Sequence, residues 1–200
     1  MFTRSRIVER LRAAPAPGIR RGDQDLNPDM EPKRPLIPAA VLVPLVERQD
    51  GLTVLLTRRT DHLHDHAGQI SFPGGRIDAA DADAIAAALR ETEEEVGLPR
   101  DRVEIAGRLD TYITRTGFEV TPVIGLVTPP EAYAPDPFEV AEVFEVPLSF
   151  IAAPGSAQRQ SREFQGRTRS FYVFPWQGYF IWGATAGMLV NLADILRQPD

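Results

Sequence analysis

Short apolar segments alternate with polar turns from residue 36 onward. Residues 39–43 and 52–57 are apolar and rich in β-branched side chains, and the polar residues 48–51 separate them. This pattern predicts two β-strands joined by a turn. Further strands are predicted at residues 103–114, 118–128 and 143–146.

Two other segments place their apolar side chains at helical spacing. Residues 83–96 predict a helix that ends before Gly97, and residues 182–197 predict a second helix with one apolar stripe. The glycines and prolines of residues 61–76 predict a loop before the first helix. Helices interleaved with strands are typical of an α/β or α+β domain, here built around a mixed β-sheet.

Residues 1–35 differ from the rest of the chain. Ile7, Val8 and Leu11 are spaced to line one or two turns of helix, and prolines then interrupt any regular element. We therefore predict a partly helical N-terminal arm at residues 1–35 and one domain at residues 36–200.

Composition excludes several classes of function. The 200 residues carry a formal net charge of −6, which makes nonspecific binding to nucleic acid unfavourable. No apolar run approaches the roughly twenty residues that span a bilayer, so we expect neither a nucleic-acid nor a membrane partner. The sequence contains no cysteine, which excludes disulfides and thiolate chemistry and allows a reducing compartment. We expect a cytoplasmic protein, and a homodimer remains open.

The predicted helix at residues 83–96 carries an unusual cluster of acids. Glu91, Glu94 and Glu95 are spaced i, i+3 and i+4, so they share one arc of the helix, whereas Glu93 lies opposite. Like charges at this spacing repel, and the helix dipole disfavours anions in the last turns. Arg90 relieves only part of this repulsion. A solvated acidic face and a site for a hard cation such as Mg²⁺ or Mn²⁺ are the two interpretations.

The residues around the acids favour the cation site. Phe72-Pro73-Gly74-Gly75 precedes the helix, Arg90-Glu91 and Glu94-Glu95 lie within it, and Gly97-Leu98 ends it. Together these residues resemble the Nudix box, the loop–helix–loop signature of hydrolases that cleave nucleoside diphosphates linked to another group. The resemblance implies an α/β/α sandwich with a mixed β-sheet and a metal-dependent pyrophosphohydrolase.

The resemblance also assigns roles to individual residues. It implies that Glu91, Glu94 and Glu95 bind Mg²⁺ or Mn²⁺, that the carbonyl of Gly74 is a further ligand, and that Arg90 positions the glutamates. The sequence departs from the family pattern in three places. The interval between Gly75 and Arg90 is one residue longer, Asp81 and Asp83 straddle the place of one acidic residue, and Thr92 replaces an aliphatic residue.

A second pattern lies upstream of the helix. Leu55-Leu56-Thr57, Arg59, His66-Ala67-Gly68-Gln69 and the Phe72–Gly75 run resemble the coenzyme A pyrophosphatase branch of Nudix enzymes. The resemblance implies substrate contacts from Arg59, His64, Gly68 and Gln69. Thr60 replaces a smaller residue, and His64 replaces an arginine, which removes a permanent charge near the phosphates. Strand alternation lets only one of Arg58 and Arg59 point inward, and the motif favours Arg59.

The implied reaction is hydrolysis of the diphosphate of coenzyme A or its thioesters. Water attacks one phosphorus and releases 3′,5′-ADP and 4′-phosphopantetheine, which stays acylated when the substrate is a thioester. The catalytic residues implied are Glu94 and Glu95, with the general base either a box glutamate or a carboxylate elsewhere. Candidates elsewhere are Glu139, Glu142 and Glu119, of which Glu139 ranks first.

Several alternatives remain open. The same chemistry could act on ADP-ribose, NADH or a modified nucleoside triphosphate, and a non-catalytic nucleotide-binding regulator is a less favoured class. His62, His64 and His66 occupy alternate positions along the chain, and a zinc site formed by these histidines is a less favoured interpretation. Residues 181–186 also resemble the coenzyme A branch, although small residues where a strand enters a helix favour core packing over substrate contact.

Overall fold

The computed structural model describes residues 3–13, 20–62 and 67–198 of the 200-residue chain. Its helices are α1 (Arg4–Ala13), α2 (Ala84–Val96), α3 (Leu148–Ala152) and α4 (Gly183–Arg197). The larger sheet contains β1 (Arg20–Gly22), β2 (Ile37–Arg48), β3 (Gly51–Arg59), β4 (Ile70–Ser71), β5 (Gly74–Arg76), β6 (Val103–Arg108), β7 (Thr111–Ile113), β8 (Phe118–Val127) and β9 (Val140–Pro147). The smaller sheet contains β10 (Gln158–Phe164), β11 (Arg167–Trp176) and β12 (Tyr179–Trp182).

The larger sheet is mixed, as the sequence predicts. Its centre is the parallel pair β2 and β8, in register from Ile37 opposite Phe118 to Val46 opposite Val127. The other edge of β2 pairs antiparallel with β3 near one end and with β5 near the other. Strand β9 extends the sheet along β3, and β6 and β7 extend it along β8.

Both faces of this sheet are covered by helices. Leu42 and Val46 of β2 pack with Ala87 and Ala88 of α2 on one face. The alternate side chains of β2 join a core on the opposite face that includes residues from α1, α3 and α4. Alternation along a buried strand produces two apolar faces, so the predicted α/β/α sandwich is confirmed.

The structure corrects the predicted elements between the helices. The strand predicted at 103–114 is divided into β6 and β7, and the segment predicted as a loop at 61–76 contains β4 and β5. Gly74 and Gly75 lack the side chains that signal a strand, yet their backbone pairs with β2. Strands β10 and β11 and the short helix α3 were not predicted, whereas β12 ends at the strand-to-helix junction predicted at residues 181–186.

Parts of the N-terminal segment pack on the domain. Ile7 of α1 is fully buried in the core, and β1 pairs in parallel with β7. Arg4 forms ion pairs with Glu47 and Glu104. Among the helices of the described ranges, none combines the length and apolar character needed to cross a bilayer.

Candidate active site

Helix α2 is fixed at both ends by local interactions. The Asp83 carboxylate accepts a hydrogen bond from the Ala86 N–H at 2.9 Å, which caps the N-terminus. Gly97 adopts a left-handed conformation with φ of 65° and ends the helix. Since Ala87, Ala88 and Val96 face the sheet, the glutamates lie on the adjoining edge of the helix, beside β5.

Two glycines of β5 bring the backbone against this acidic edge. The Gly74 N–H donates to Oε2 of Glu95 at 3.1 Å. A Cβ at position 74 would lie 2.6 Å from the Cα of Val41, and a Cβ at position 75 would lie 2.6 Å from Oε2 of Glu91. Any side chain at these positions therefore displaces either β2 or a carboxylate, which explains why both residues are glycine.

Burial makes two of the carboxylates basic. Glu95 is only 7% exposed, and this burial raises its pKa to about 7 despite the Gly74 N–H and the Arg59 guanidinium. Glu139 and Glu91 add to the rise. Burial also raises the pKa of Glu91 above its ordinary value, against the hydrogen bond from Arg90. Buried carboxylates held this close favour a positive charge between them.

Arg90 connects the acids to the preceding loop. Its Nη1 donates to Glu91 at 2.8 Å and to Glu94 at 3.0 Å. Its Nε and Nη2 donate to both carboxylate oxygens of Asp81, which holds the pKa of Asp81 below its ordinary value. Asp81 and Asp83 thus have separate structural tasks, one holding Arg90 and the other capping α2.

Thr92 also has a local explanation. It is fully buried, and its hydroxyl donates to the Ala88 carbonyl at 2.6 Å within the same helix. The hydroxyl is therefore satisfied where the family pattern has an aliphatic side chain.

The residues present fit a hard dication by their chemistry. Glu91, Glu94 and Glu95 offer carboxylate oxygens, the ligand type that Mg²⁺ and Mn²⁺ prefer, at one end of α2 beside a glycine strand. Within residues 3–13, 20–62 and 67–198, no three acidic, histidine or cysteine side chains already converge on one point. Arg90 holds Glu91 and Glu94 instead, and Glu94 is 60% exposed.

The structure separates the two neighbouring arginines of β3. Arg59 approaches Glu95 and Glu139, with Nη1 at 3.6 Å from the first and Nη2 at 3.5 Å from the second. Its Nε is buried and, among the described residues, has no hydrogen-bond partner. Arg58 instead lies 3.2 Å from Glu142. The two arginines have different partners because consecutive side chains of a strand point to opposite faces of the sheet.

Only one of the three candidate bases outside α2 lies beside the acidic cluster. Glu139 contacts Arg59 and contributes to the raised pKa values of Glu91 and Glu95. Glu142 pairs with Arg58 and accepts a hydrogen bond from the Tyr179 hydroxyl at 2.5 Å. Glu119 pairs with Arg20 at 3.1 Å.

The other predicted substrate contacts lie on the segment after β3. The Gln69 carbonyl accepts a hydrogen bond from the Arg59 N–H at 2.9 Å, and Gly68 adopts a left-handed conformation beside Asp61. His64 and His66 lie outside the described residues. The His62 ring contacts the ring of Phe138, with 4.8 Å between centroids.

A cavity of about 480 Å³ adjoins the acidic cluster. Gly74, Gly75 and Arg59 line it at the end nearest the cluster. Gln69 and Trp182, which the sequence analysis singled out, also line it, whereas sequence reasoning missed Arg76, Arg115, Arg162, Phe164 and Phe171. This volume is typical of a small-molecule site. Several of these lining residues are arginines or aromatic residues. They are distant in sequence, so their proximity is visible only in the folded structure.

Sequence comparison identifies the class of protein that this site defines. The NUDIX domain model matches residues 36–165, so the chain belongs to the Nudix family. It is a Nudix hydrolase, a pyrophosphohydrolase of a family that acts on nucleoside diphosphate derivatives and generally uses divalent cations.

Individual relatives agree with the family. The chain is 46% identical to the uncharacterized Nudix hydrolase NudL of Enterobacter sp. (strain 638) over 156 residues, which cover 78% of this chain and 80% of NudL. NudL of Escherichia coli (strain K12) gives the same identity and coverage. The crystal structure of a MutT/nudix family protein from Enterococcus faecalis shares the fold at 18% identity and a TM-score of 0.51, covering 82% of this chain and 63% of that one.

Proposed function

We propose that this Nudix hydrolase cleaves the diphosphate of coenzyme A or of its thioesters. The products are 3′,5′-ADP and 4′-phosphopantetheine, or its acylated form. The sequence resemblance to the coenzyme A pyrophosphatase branch supports this proposal, and so does the position of Arg59, which carries the motif and touches both the acidic cluster and the cavity.

The observation that carries the proposal is the continuity of the cavity with the carboxylates. Arg59 and the two glycines of β5 belong to both. A diphosphate placed at this junction lies within reach of the Arg59 guanidinium, whose buried Nε has no partner among the described residues. The remainder of the substrate extends into a cavity that carries further arginines, which suits a molecule with more than one phosphate group.

We assign the cation to Glu91, Glu94 and Glu95, with the Gly74 carbonyl as an additional oxygen donor. When bound, Mg²⁺ or Mn²⁺ neutralises the diphosphate charge and acidifies the attacking water. Arg90 keeps Glu91 and Glu94 on one side of the helix through its Nη1. Glycine at position 75 leaves room for the Glu91 carboxylate against the strand.

The chain supplies the proton acceptor and the phosphate grip. The Glu139 carboxylate takes a proton from the attacking water while the oxygen of that water bonds to one phosphorus. The bond from that phosphorus to the bridging oxygen breaks, and the leaving phosphate keeps the electron pair. Arg59 balances the charge of the diphosphate and holds Glu139 near the reacting water.

A substrate panel tests this proposal. The full chain is incubated with coenzyme A, acetyl-coenzyme A, ADP-ribose or NADH, each with Mg²⁺ or Mn²⁺ and with a chelator control, and products are identified by mass spectrometry. We expect 3′,5′-ADP from coenzyme A or its thioester, and none with chelator. Hydrolysis of ADP-ribose or NADH without any product from coenzyme A compounds contradicts the substrate assignment. Nucleotide binding without turnover contradicts the enzyme assignment.

A further inference from the structure

One wall of the cavity is formed by the smaller sheet. Arg162 and Phe164 of β10, Arg169 and Phe171 of β11 and Trp182 of β12 all line the cavity. The strand register places them on one face of the sheet. Arg162 is paired with Arg169, and Trp182 is paired with Val173. Val173 lies two residues beyond Phe171, so alternation puts both on the same face. We refer to these five residues as the arginine–aromatic wall.

The arginine–aromatic wall places like charges directly opposite each other. The cross-strand pair of Arg162 and Arg169 is unfavourable in the absence of an anion. Asp29 neutralises Arg169 through a 2.7 Å ion pair. Arg162 forms no ion pair with any carboxylate of the described residues, and neither does Arg115 across the cavity. In a chain of net charge −6, these free guanidinium groups concentrate positive charge in one place.

The free guanidinium groups are also held in position by aromatic rings. The Arg162 Cζ lies 4.8 Å from the Trp182 ring centroid and 5.7 Å from that of Phe171. The Arg115 Cζ lies 4.9 Å from the Phe164 ring centroid. Stacking of this kind orients the planar fork of arginine before a ligand arrives, which lowers the entropic cost of binding an anion.

We propose that the arginine–aromatic wall, with Arg115, binds the 3′-phosphorylated adenosine end of the substrate. A purine offers a flat ring to stack on aromatic side chains or a guanidinium plane, and a phosphate monoester suits the fork of Arg162 or Arg115. The pantetheine arm of the same substrate carries neither a ring nor a charge. This assignment rests on the proposed function for the identity of the ligand.

The experiment compares coenzyme A with dephospho-coenzyme A, which lacks the 3′-phosphate. We measure kcat and KM for both substrates with the wild type, Arg162→Gln, Arg115→Gln and Arg159→Gln. Arg159 is the matched control. It lies on β10 and pairs across the strands with Tyr172, on the face of the sheet opposite Arg162, and it does not line the cavity. Circular dichroism and thermal unfolding of each variant establish that the smaller sheet is retained.

The proposed role of the arginine–aromatic wall predicts a loss of activity that is selective for coenzyme A. We expect the wild type to favour coenzyme A, and Arg162→Gln or Arg115→Gln to lower kcat/KM for coenzyme A about 10- to 100-fold through KM. Dephospho-coenzyme A is expected to react at a nearly unchanged rate, and Arg159→Gln is expected to resemble the wild type on both substrates. An unchanged preference for coenzyme A over dephospho-coenzyme A in folded Arg162→Gln and Arg115→Gln variants overturns the proposal.

A binding measurement separates this inference from the proposed function. The chain has two tryptophans, and Trp176 packs on Phe150 instead of lining the cavity, so Trp176→Phe leaves Trp182 as the sole reporter. If coenzyme A is not hydrolysed, adenosine 3′,5′-bisphosphate is titrated against this variant. Quenching of Trp182 fluorescence that Arg162→Gln abolishes supports the wall even when the substrate assignment fails. The absence of any binding overturns the wall as well.

Discussion

The carboxylate of Glu95 accepts a hydrogen bond from the backbone N–H of Gly74, with 3.1 Å between Oε2 and N. This contact ties the last turn of α2 to the β5 strand and fixes the direction of a carboxylate that is only 7% exposed. One oxygen of Glu95 is thereby used in positioning the side chain, while the other lies 3.6 Å from Arg59.

The first prediction concerns the charge of these glutamates. We expect Glu95→Gln or Glu94→Gln to lower kcat by about 10²–10⁴-fold, because the amide is a poor cation ligand and a poor proton acceptor. The free energy of unfolding is expected to stay equal or to rise for Glu95→Gln, since burial, and to a lesser degree Glu139 and Glu91, disfavour the charge of Glu95. Steady-state kinetics with Mg²⁺ and denaturant titration measure the two quantities.

Glu93→Gln is the matched control for this prediction. Glu93 lies on the same helix but pairs with Arg100 at 2.8 Å, away from the cavity. We expect its kcat to match the wild type and its stability to change by less than about 1 kcal/mol. A large loss of stability in Glu95→Gln, with activity in proportion to the folded fraction, points to a structural role for Glu95 instead.

The second prediction concerns the space beside Glu91. Gly75→Ala places a methyl group where an ideal Cβ lies 2.6 Å from the Glu91 carboxylate, so that side chain must move. We expect the affinity for Mn²⁺, followed by its paramagnetic signal, to fall at least about tenfold. Ala84→Gly, at the first residue of α2, serves as a control for small changes in this region. Wild-type affinity in Gly75→Ala argues against Glu91 as a ligand.

The third prediction concerns the pH dependence of the stability that Glu145 contributes through Arg48 and Thr53. Burial alone raises the pKa of Glu145, but hydrogen bonds from Arg48 and Thr53 outweigh it and hold the pKa below its ordinary value. A carboxylate with a lowered folded pKa stabilises the protein above its unfolded pKa, and this stability is lost as pH falls through the folded pKa.

Glu145→Gln is therefore expected to cost about 1–3 kcal/mol of unfolding free energy at pH 7 and less as the pH falls below about 4. Denaturant titrations at a series of pH values measure the difference between the wild type and the variant. A difference that is constant across the series contradicts the assigned ion pair. Glu131→Gln, which changes an exposed acid, is the control for general charge effects.

The fourth prediction concerns the N-terminal helix. Ile7 is fully buried in the core beneath α1, so Ile7→Ala is expected to lower the free energy of unfolding by about 2–4 kcal/mol. Glu9→Ala, on the exposed side of the same helix, is expected to change it little. Equal stability of the two variants in denaturant titration shows that α1 does not contribute to the folded core in solution.

Local signals in the sequence were sufficient for the elements that hold the carboxylates. Asp83 before the helix, the apolar spacing within it and Gly97 after it predict α2 almost to the residue. The apolar runs of β2 and β3 predict their strands because both faces are buried. The resemblance to the Nudix box implied that Gly74 and the acids share one site, and in the structure the Gly74 N–H donates to Glu95.

Strands β10 and β11 of the smaller sheet could not be predicted by the same signals. Strand β10 is exposed at every position but Phe164, so its sequence has no apolar alternation to distinguish it from a loop. The cavity was missed for a different reason. Arg76, Arg115 and Arg162 are far apart in sequence, and each alone has the character of an ordinary surface arginine.

The cavity is assembled from two stretches of chain, one inside the family match and one beyond it. The segment that matches the family ends at residue 165, whereas Arg169, Phe171 and Trp182 lie beyond it. A substitution in this later stretch changes the cavity lining without altering Glu91, Glu94 or Glu95, which lie on α2. Under the proposed function, the side chains that select the substrate and those that cleave it are therefore carried by separate elements, so one set can be exchanged without the other.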